Sequence, residues 1–394
     1  MKPSRIFPIV ALLGCLVFSS NTFAVIIDVN APVVQLRDPN NGGCTEAGGT
    51  VTLNNCFTAI NALSDWIFKV RTPAPSSSAP LLVKIGPGNF GQTYCGVNPS
   101  STFSNITYQG SGMGQTKIPS ITIIACTDLF FSDITFTGVN GYGIALIPGG
   151  SNTTWTNVEV LGGSAWREFS CGSRRGKHYW FNSRIISTGL NGTSAYKTSC
   201  DESWFFGSEI TAIASSTLTD GLSAIQASGL GEVHVYGGVI RALNTGNGIA
   251  SGTSYAAIST SDGGIVHIHG TGIDVTSSSA SPIVALAASN GGMIHANGAA
   301  YNMSTGAGGR VTRIAQDTNP ATHVHAPYFW ESHPTPQIPN IVNVNADGAD
   351  MVVQSLCAPT GCQTAGTETH LLLYNSTCTG IGGPWFDVVT RSCR

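Results

Sequence analysis

The sequence predicts an all-β fold: a right-handed parallel β-helix (solenoid) with a short N-terminal capping helix and a disulfide-stapled C-terminal tail. Three observations predict it. First, a phrase of alternating apolar or aromatic residues, a small bend residue and a second β-prone run recurs through the chain. Its copies are LFFSDITF (129–136), TTWTNVEV (153–160), YWFNSRII (179–186), WFFGSEIT (204–211), HVYGGVIR (234–241), HIHGTGID (267–274) and HANGAAYN (295–302). Second, the copies start 24, 26, 25, 30, 33 and 28 residues apart. That spacing belongs to stacked repeats and is too short for the about 40–45 residues of a propeller blade. Third, glycine reaches 48 of 394 residues while charged residues make up only 10%, the composition of a β-rich chain that turns often.

The elements follow in order. Residues 1–24 carry a basic start (MKPSR), an apolar run (IFPIVALLGCLVF) and a small-residue end with Thr22 and Ala24, the pattern of a secretory signal peptide cleaved after Ala24. Leu12-Leu13-Gly14-Cys15 leaves lipid anchoring at Cys15 as an alternative. Residues 25–80 form an N-terminal cap and linker. Within them CFTAINALSDWIFKV (56–70) places Phe57, Ile60, Leu63 and Ile67 at helical spacing, and RTPAPSSSAP (71–80) reads as a loop. Residues 81–314 form the β-helix, starting with LLVKIGPGNF and ITYQGSGMGQTKI. Asn, Gly or Ser at each bend suits a residue that must leave the β region. The period fails after about Arg313, and residues 315–394 form a loop and Cys-rich tail.

Removing Cys15 leaves ten of the eleven cysteines, an even number suited to an oxidising compartment. Sequential pairing would join Cys44 to Cys56, Cys95 to Cys126, Cys171 to Cys200, Cys357 to Cys362 and Cys378 to Cys393, although spacing alone does not fix the connectivity. The net charge of −3 becomes −5 without Lys2 and Arg5, and no cluster of Lys and Arg of the kind nucleic acid requires is present. Apart from the leader, no stretch has the about 18 apolar residues of a membrane span. The expected location is secreted, periplasmic or cell-surface, and the expected state a monomer.

CFTAINALSDW, LLVKIGPGNFGQTY, ITYQGSGMGQTKI and DLFFSDITFTG together resemble the opening of pectin methylesterases, over residues 56–186. The resemblance implies a pectin-lyase-like β-helix. The family's catalytic motifs do not carry over. Its Gln-Ala-Val-Ala-Leu falls on Tyr142–Leu146, its Gln-Asp-Thr falls on Ser164-Ala165-Trp166, and its nucleophile segment has no counterpart. Methylesterase chemistry of that kind is therefore not expected, since it needs a nucleophilic carboxylate beside an acid and oxyanion donors. No catalytic residue is assigned. A lyase would need a cation such as calcium on carboxylates and a basic residue; apart from that case no cofactor is expected.

Alternation along the three histidine strands puts Val233, Val235, Val266, Ile268, Ile294 and Ala296 inside. Carried back through the earlier copies, the inward column becomes Phe130, Thr154, Trp180 and Phe205. The outward columns then read Leu129, Thr153, Tyr179, Trp204, His234, His267, His295 and Phe131, Trp155, Phe181, Phe206, Tyr236, His269, Asn297. An exposed aromatic and histidine stripe marks a contact surface. Trp155, Tyr179, Trp204, Phe206, His234, Tyr236, His267, His269 and His295 are the candidate carbohydrate-binding residues. The charged candidates are Arg174, Arg175, Lys177, Lys197, Asp201 and Glu202, with Lys177 and Glu202 in one column of adjacent coils. A metal site is not expected, because a row of histidines on one strand face does not by itself converge. These readings predict a protein that binds, and in one version processes, a polysaccharide or cell-surface glycan. A non-catalytic structural or adhesive surface protein is the alternative.

Overall fold

The computed structural model describes residues 28–45, 53–96, 103–124, 126–138, 142–146, 150–168, 175–189, 194–214, 222–246, 255–279, 283–305, 311–316, 321–325 and 330–331, with four short strands near the C-terminus. The expected leader and Cys15 lie outside these residues.

Successive short strands pair in parallel, each with its counterpart one coil away, to give a right-handed parallel β-helix of three sheets. The first sheet has 12 strands, from Cys56–Phe57 and Val33–Leu36 at one edge to Met293–Asn297 and His323–His325 at the other. The second and third have 10 and 9 strands. At the N-terminal end Ile60–Asp65 is α-helical and Trp66–Val70 continues it as a wider π turn. The predicted helix is thus shortened at its start, where Cys56–Phe57 is a strand beside Val33–Leu36. Ile60, Leu63, Trp66 and Ile67 are buried against the first coils, which covers a sheet end that would otherwise template further pairing. The segment after the helix is anchored: buried Arg71 donates to the carbonyls of Ala31, Pro73 and Pro80.

One corner sets the register. Between the first and second sheets seven successive coils turn at a residue of positive φ: Asp133, Asn157, Asn182, Gly207, Gly237, Gly270 and Gly298, with Gly238 beside Gly237 also at positive φ. These are the residue types that enter the left-handed region at least cost. Counting back from this corner defines the columns. The interior receives Tyr108, Phe131, Trp155, Trp180 and Phe205, stacked at 5.1, 4.1, 4.8 and 5.7 Å between centroids. Val235, Ile268 and Ala296 continue the column, so the core side chains shrink along the chain.

This corrects the predicted columns in two coils. Trp155 pairs with Phe131 and with Trp180. Phe131, Trp155, Leu129 and Thr153 therefore face inward and are buried. Phe130, expected inside, is 42% exposed. The expected register is one position out in these two coils, because Leu129 and Thr153 lie four residues before their corner and Tyr179 and Trp204 lie three before theirs.

Cys44–Cys56 and Cys95–Cys126 are disulfides, and Cys200 is also disulfide-bonded. Cys171, Cys357, Cys362 and Cys378 lie outside the described residues. Cys393 is in the strand Ser392–Cys393 of a four-stranded antiparallel sheet. Such bonds are the signature of an oxidising, non-cytosolic compartment. No helix among the described residues is long and apolar enough to cross a membrane.

The register predicts opposite outcomes for adjacent residues. Trp155→Ala should lower stability by about 3–5 kcal/mol, whereas Thr154→Ala should cost under about 1 kcal/mol. Denaturant midpoints of the two variants check this; equal losses would contradict the inward placement of Trp155.

Candidate functional site: a solvent-facing ring ladder

On the outer surface of the first sheet two columns of rings run along the helix axis. Tyr179, Trp204, His234, His267 and His295 stack at 4.8, 5.4, 4.7 and 5.0 Å, with planes within 11° of parallel. Beside them Phe181, Phe206, Tyr236 and His269 stack at 5.0, 5.2 and 4.9 Å. Parallel strands in register place each ring over its counterpart at about the 4.8 Å strand spacing, so the faces are occupied by neighbours. Edges are left to meet solvent or the flanking side chains, as His234 Nε2 meets Glu232 Oε1. The rings are accordingly half-buried, with Tyr236 the most open at 38%.

The ladder has an end. Below Tyr179 and Phe181 the next coil carries Thr154 and Thr156, and the coil below that carries exposed Phe130 over the Thr154 column. Thr154 thus interrupts the column between two rings two coil spacings, about 9.6 Å, apart. The second column also stops at its other end, where His269 stands beside Asn297; at Thr154 and Thr156 both columns stop together.

A third column flanks the rings: Lys177, Glu202, Glu232, Ile265 and Met293. Lys177 Nζ lies 3.7 Å from Glu202 and 5.3 Å from the centre of the Trp204 ring. Arg175 donates to Glu232 Oε2 at 3.0 Å and to the carbonyl of Leu230 at 2.7 Å. Burial pushes the Glu232 carboxyl up, but the Arg175 hydrogen bond and the adjacent His234 carry it below its ordinary value. For His267, burial and the imidazoles of His234 and His295 hold the ring down to about 4, because each proton added to a stack opposes the next.

The predicted charged patch divides. Arg175, Lys177 and Glu202 join the ladder face. Lys197 stands over Arg167 on the third sheet, and burial, then Arg167, lowers its pKa. Arg174 lies outside the described residues. Asp201 is a correction: it is 1% exposed and belongs to the interior. There its Oδ2 is 3.0 Å from His178 Nε2, and the amides of Gly176 and Gly150 donate to its carboxylate. His178 Nδ1 meets Thr153 Oγ1 at 2.7 Å, and Trp155 Nε1 donates to the same hydroxyl. Burying a charge demands such partners. Burial pushes the Asp201 carboxyl up, but the hydrogen bond and charge of His178 together with the amides of Gly176 and Gly150 outweigh it, and the value lies below the usual carboxylate range. Glu168 is buried next to this group and accepts from the amides of Ser199 and Cys200 and the hydroxyl of Thr198; burial and then Asp201 raise its pKa. His178 stands between Thr153 and Ser203 in an inward column that is polar at this level, and Glu168 is likewise buried, so an expectation of apolar inward residues does not reveal them. Their positions relative to the Asn182 corner and to Trp166 do.

The sequence reading also missed Glu232. Two residues before His234 on the same strand face, it brings its carboxylate to the histidines: Oε1 lies 3.0 Å from His234 Nε2 and 3.6 Å from His267 Nε2. The Glu-x-His spacing of EVH (232–234) was the available signal.

No protein-family model and no curated protein matches this chain. Among solved structures, the A-module of the mannuronan C-5 epimerase AlgE6 from Azotobacter vinelandii is similar at 13% identity, over 65% of this chain and 90% of that one, with a TM-score of 0.25.

The interior pair predicts an acid-dependent contribution. Asp201 has a lowered folded value, so the stability it supplies is present above its ordinary value of 3.8 and is lost as pH falls through the lower folded value. Asp201→Asn should therefore cost about 3 kcal/mol at pH 7, and the gap to the wild type should narrow near pH 3. Denaturant titrations at the two pH values test this; an unchanged gap would contradict the assignment.

Proposed function

We propose that this chain is an exported β-helix protein that holds a polysaccharide against the outer face of its first sheet, with the contact centred where the ring ladder begins. The observation that carries the proposal is the break at Thr154. Sugars stack their apolar C–H faces on aromatic faces, and from Trp204 to His295 those faces are occupied by neighbouring rings. Tyr179, Phe181 and exposed Phe130 instead border a level of the face occupied by threonines. A pyranose ring is thicker than an aromatic one, and the gap of about two coil spacings suits one held between Phe130 and Tyr179. Beyond it, Trp204, Tyr236 and His269 carry polar ring groups that can exchange hydrogen bonds with hydroxyls. Lys177 and Arg175 stand beside the ladder paired with Glu202 and Glu232, and an acidic glycan would compete with those carboxylates for them. The disulfides and the leader pattern support an exported setting.

A purely structural or adhesive role is favoured by one observation: most ring faces in the ladder are already satisfied by each other. The two readings separate by experiment. Soluble and insoluble neutral and acidic polysaccharides would be tested for binding to the mature protein, with ultraviolet detection of unsaturated uronide as a check for lyase turnover. Tyr179→Ala should weaken binding about tenfold or more, as expected for an aromatic anchor. Thr154→Trp, which fills the gap with a ring, should block it while leaving the fold intact. Silence across the panel, or binding indifferent to both substitutions, would overturn the proposal and leave the structural reading.

A further inference from the structure

We infer that Glu232, His234 and His267 form a binding site for a first-row transition-metal dication of the zinc type on the open face of the β-helix. The inference rests on ligand geometry and is independent of the glycan proposal. The three side chains each present one ligating atom, all within 4.8 Å of one another. Two ligands on one tetrahedral zinc, at bonds of about 2.0–2.2 Å, stand about 3.3 Å apart. The two carboxylate–imidazole separations, 3.0 and 3.6 Å, bracket that value, and the two imidazole ligand atoms lie within 4.8 Å of each other. A single carboxylate with two imidazoles is a donor set for zinc and its neighbours, with positions left for water. Calcium, which takes oxygen ligands, is not suited to it.

Two further observations point to a cation. His234 Nε2 is sealed from solvent and makes no hydrogen bond, although Glu232 Oε1 is only 3.0 Å away. Buried polar atoms are ordinarily satisfied, and a shared metal satisfies both. In addition, Glu202 and Glu232 stand directly over one another in adjacent coils, a like-charge pairing that costs stability. Glu202 Oε1 lies 4.0 Å from His234 Nε2, so a dication here would be countered by both carboxylates. Arg175 holds Glu232 Oε2 and leaves Oε1 directed at the histidines, the orienting contact expected behind a ligand.

The test uses the full mature chain with its disulfides intact. Cobalt(II) and zinc chlorides are titrated by calorimetry and, for cobalt, by visible absorption. One ion per chain is expected, with zinc displacing cobalt and calcium failing to compete. In the unaltered protein, zinc should move the ring-nitrogen resonances of His234 and His267 but leave that of buried His178 in place. Glu232→Gln and His267→Gln should each weaken binding at least about tenfold, while Glu209→Gln on the second sheet should not. Absence of one-to-one binding, unmoved His234 and His267 resonances, or affinity that survives both ligand substitutions would overturn the inference. The resonance measurement needs no variant and so does not depend on how the substitutions fold.

Discussion

Each residue of this coil stack sits over its counterpart one coil away, about 4.8 Å distant, and every column must therefore be compatible with itself. Rings satisfy the constraint by lying face to face, which accounts both for the interior run from Tyr108 to Phe205 and for the outer ladder from Tyr179 to His295. Charges satisfy it by alternating sign. On the second sheet Arg184 lies between Glu159 and Glu209 and pairs with both, and Arg241 bridges Glu209 to Asp274. The Glu202–Glu232 step on the first sheet and the Arg167–Lys197 step on the third break the alternation, and departures of this kind gather where a chain has something other than stability to serve.

The same constraint shapes the interior. The stacked tryptophans lie in the coils whose corners are Asn157 and Asn182, and the core then narrows to Val235, Ile268 and Ala296. The polar group of Thr153, His178 and Asp201 lies beside the widest part, closed by backbone amides of neighbouring coils. The outer face inherits its position from this packing: fixing Trp180 inside leaves Tyr179 and Phe181 no choice but the surface.

Much of the fold was legible because period, bend residues and alternation all describe one repeating coil. The later coils, in which Val235, Ile268 and Ala296 alternate with histidines, were assigned to the correct faces. Phe130, Phe131, Thr154 and Trp155 were not, because the adjacent rings of Phe130 and Phe131 and the threonines around Trp155 give alternation nothing to distinguish. The αL corner does distinguish them: Asp133 and Asn157 align with Asn182 and fix the count. Asp201 was grouped with surface charges because linear proximity to Glu202 and Lys197 does not show that a strand is entered between them. Glu232 went unnoticed because its role depends on His267, 35 positions away in sequence and one coil away in space.

The account stands on in-register stacking carried out to the solvent edge of the first sheet, and His267 at the middle of the imidazole run reports on it directly. A pH titration of the metal-free protein with labelled histidine rings, assigned through His267→Gln, gives its midpoint. Burial of the ring together with stacking between His234 and His295 predicts a midpoint near 4 for His267. A midpoint at or above about 6.5, the value of an isolated histidine, would contradict the ladder.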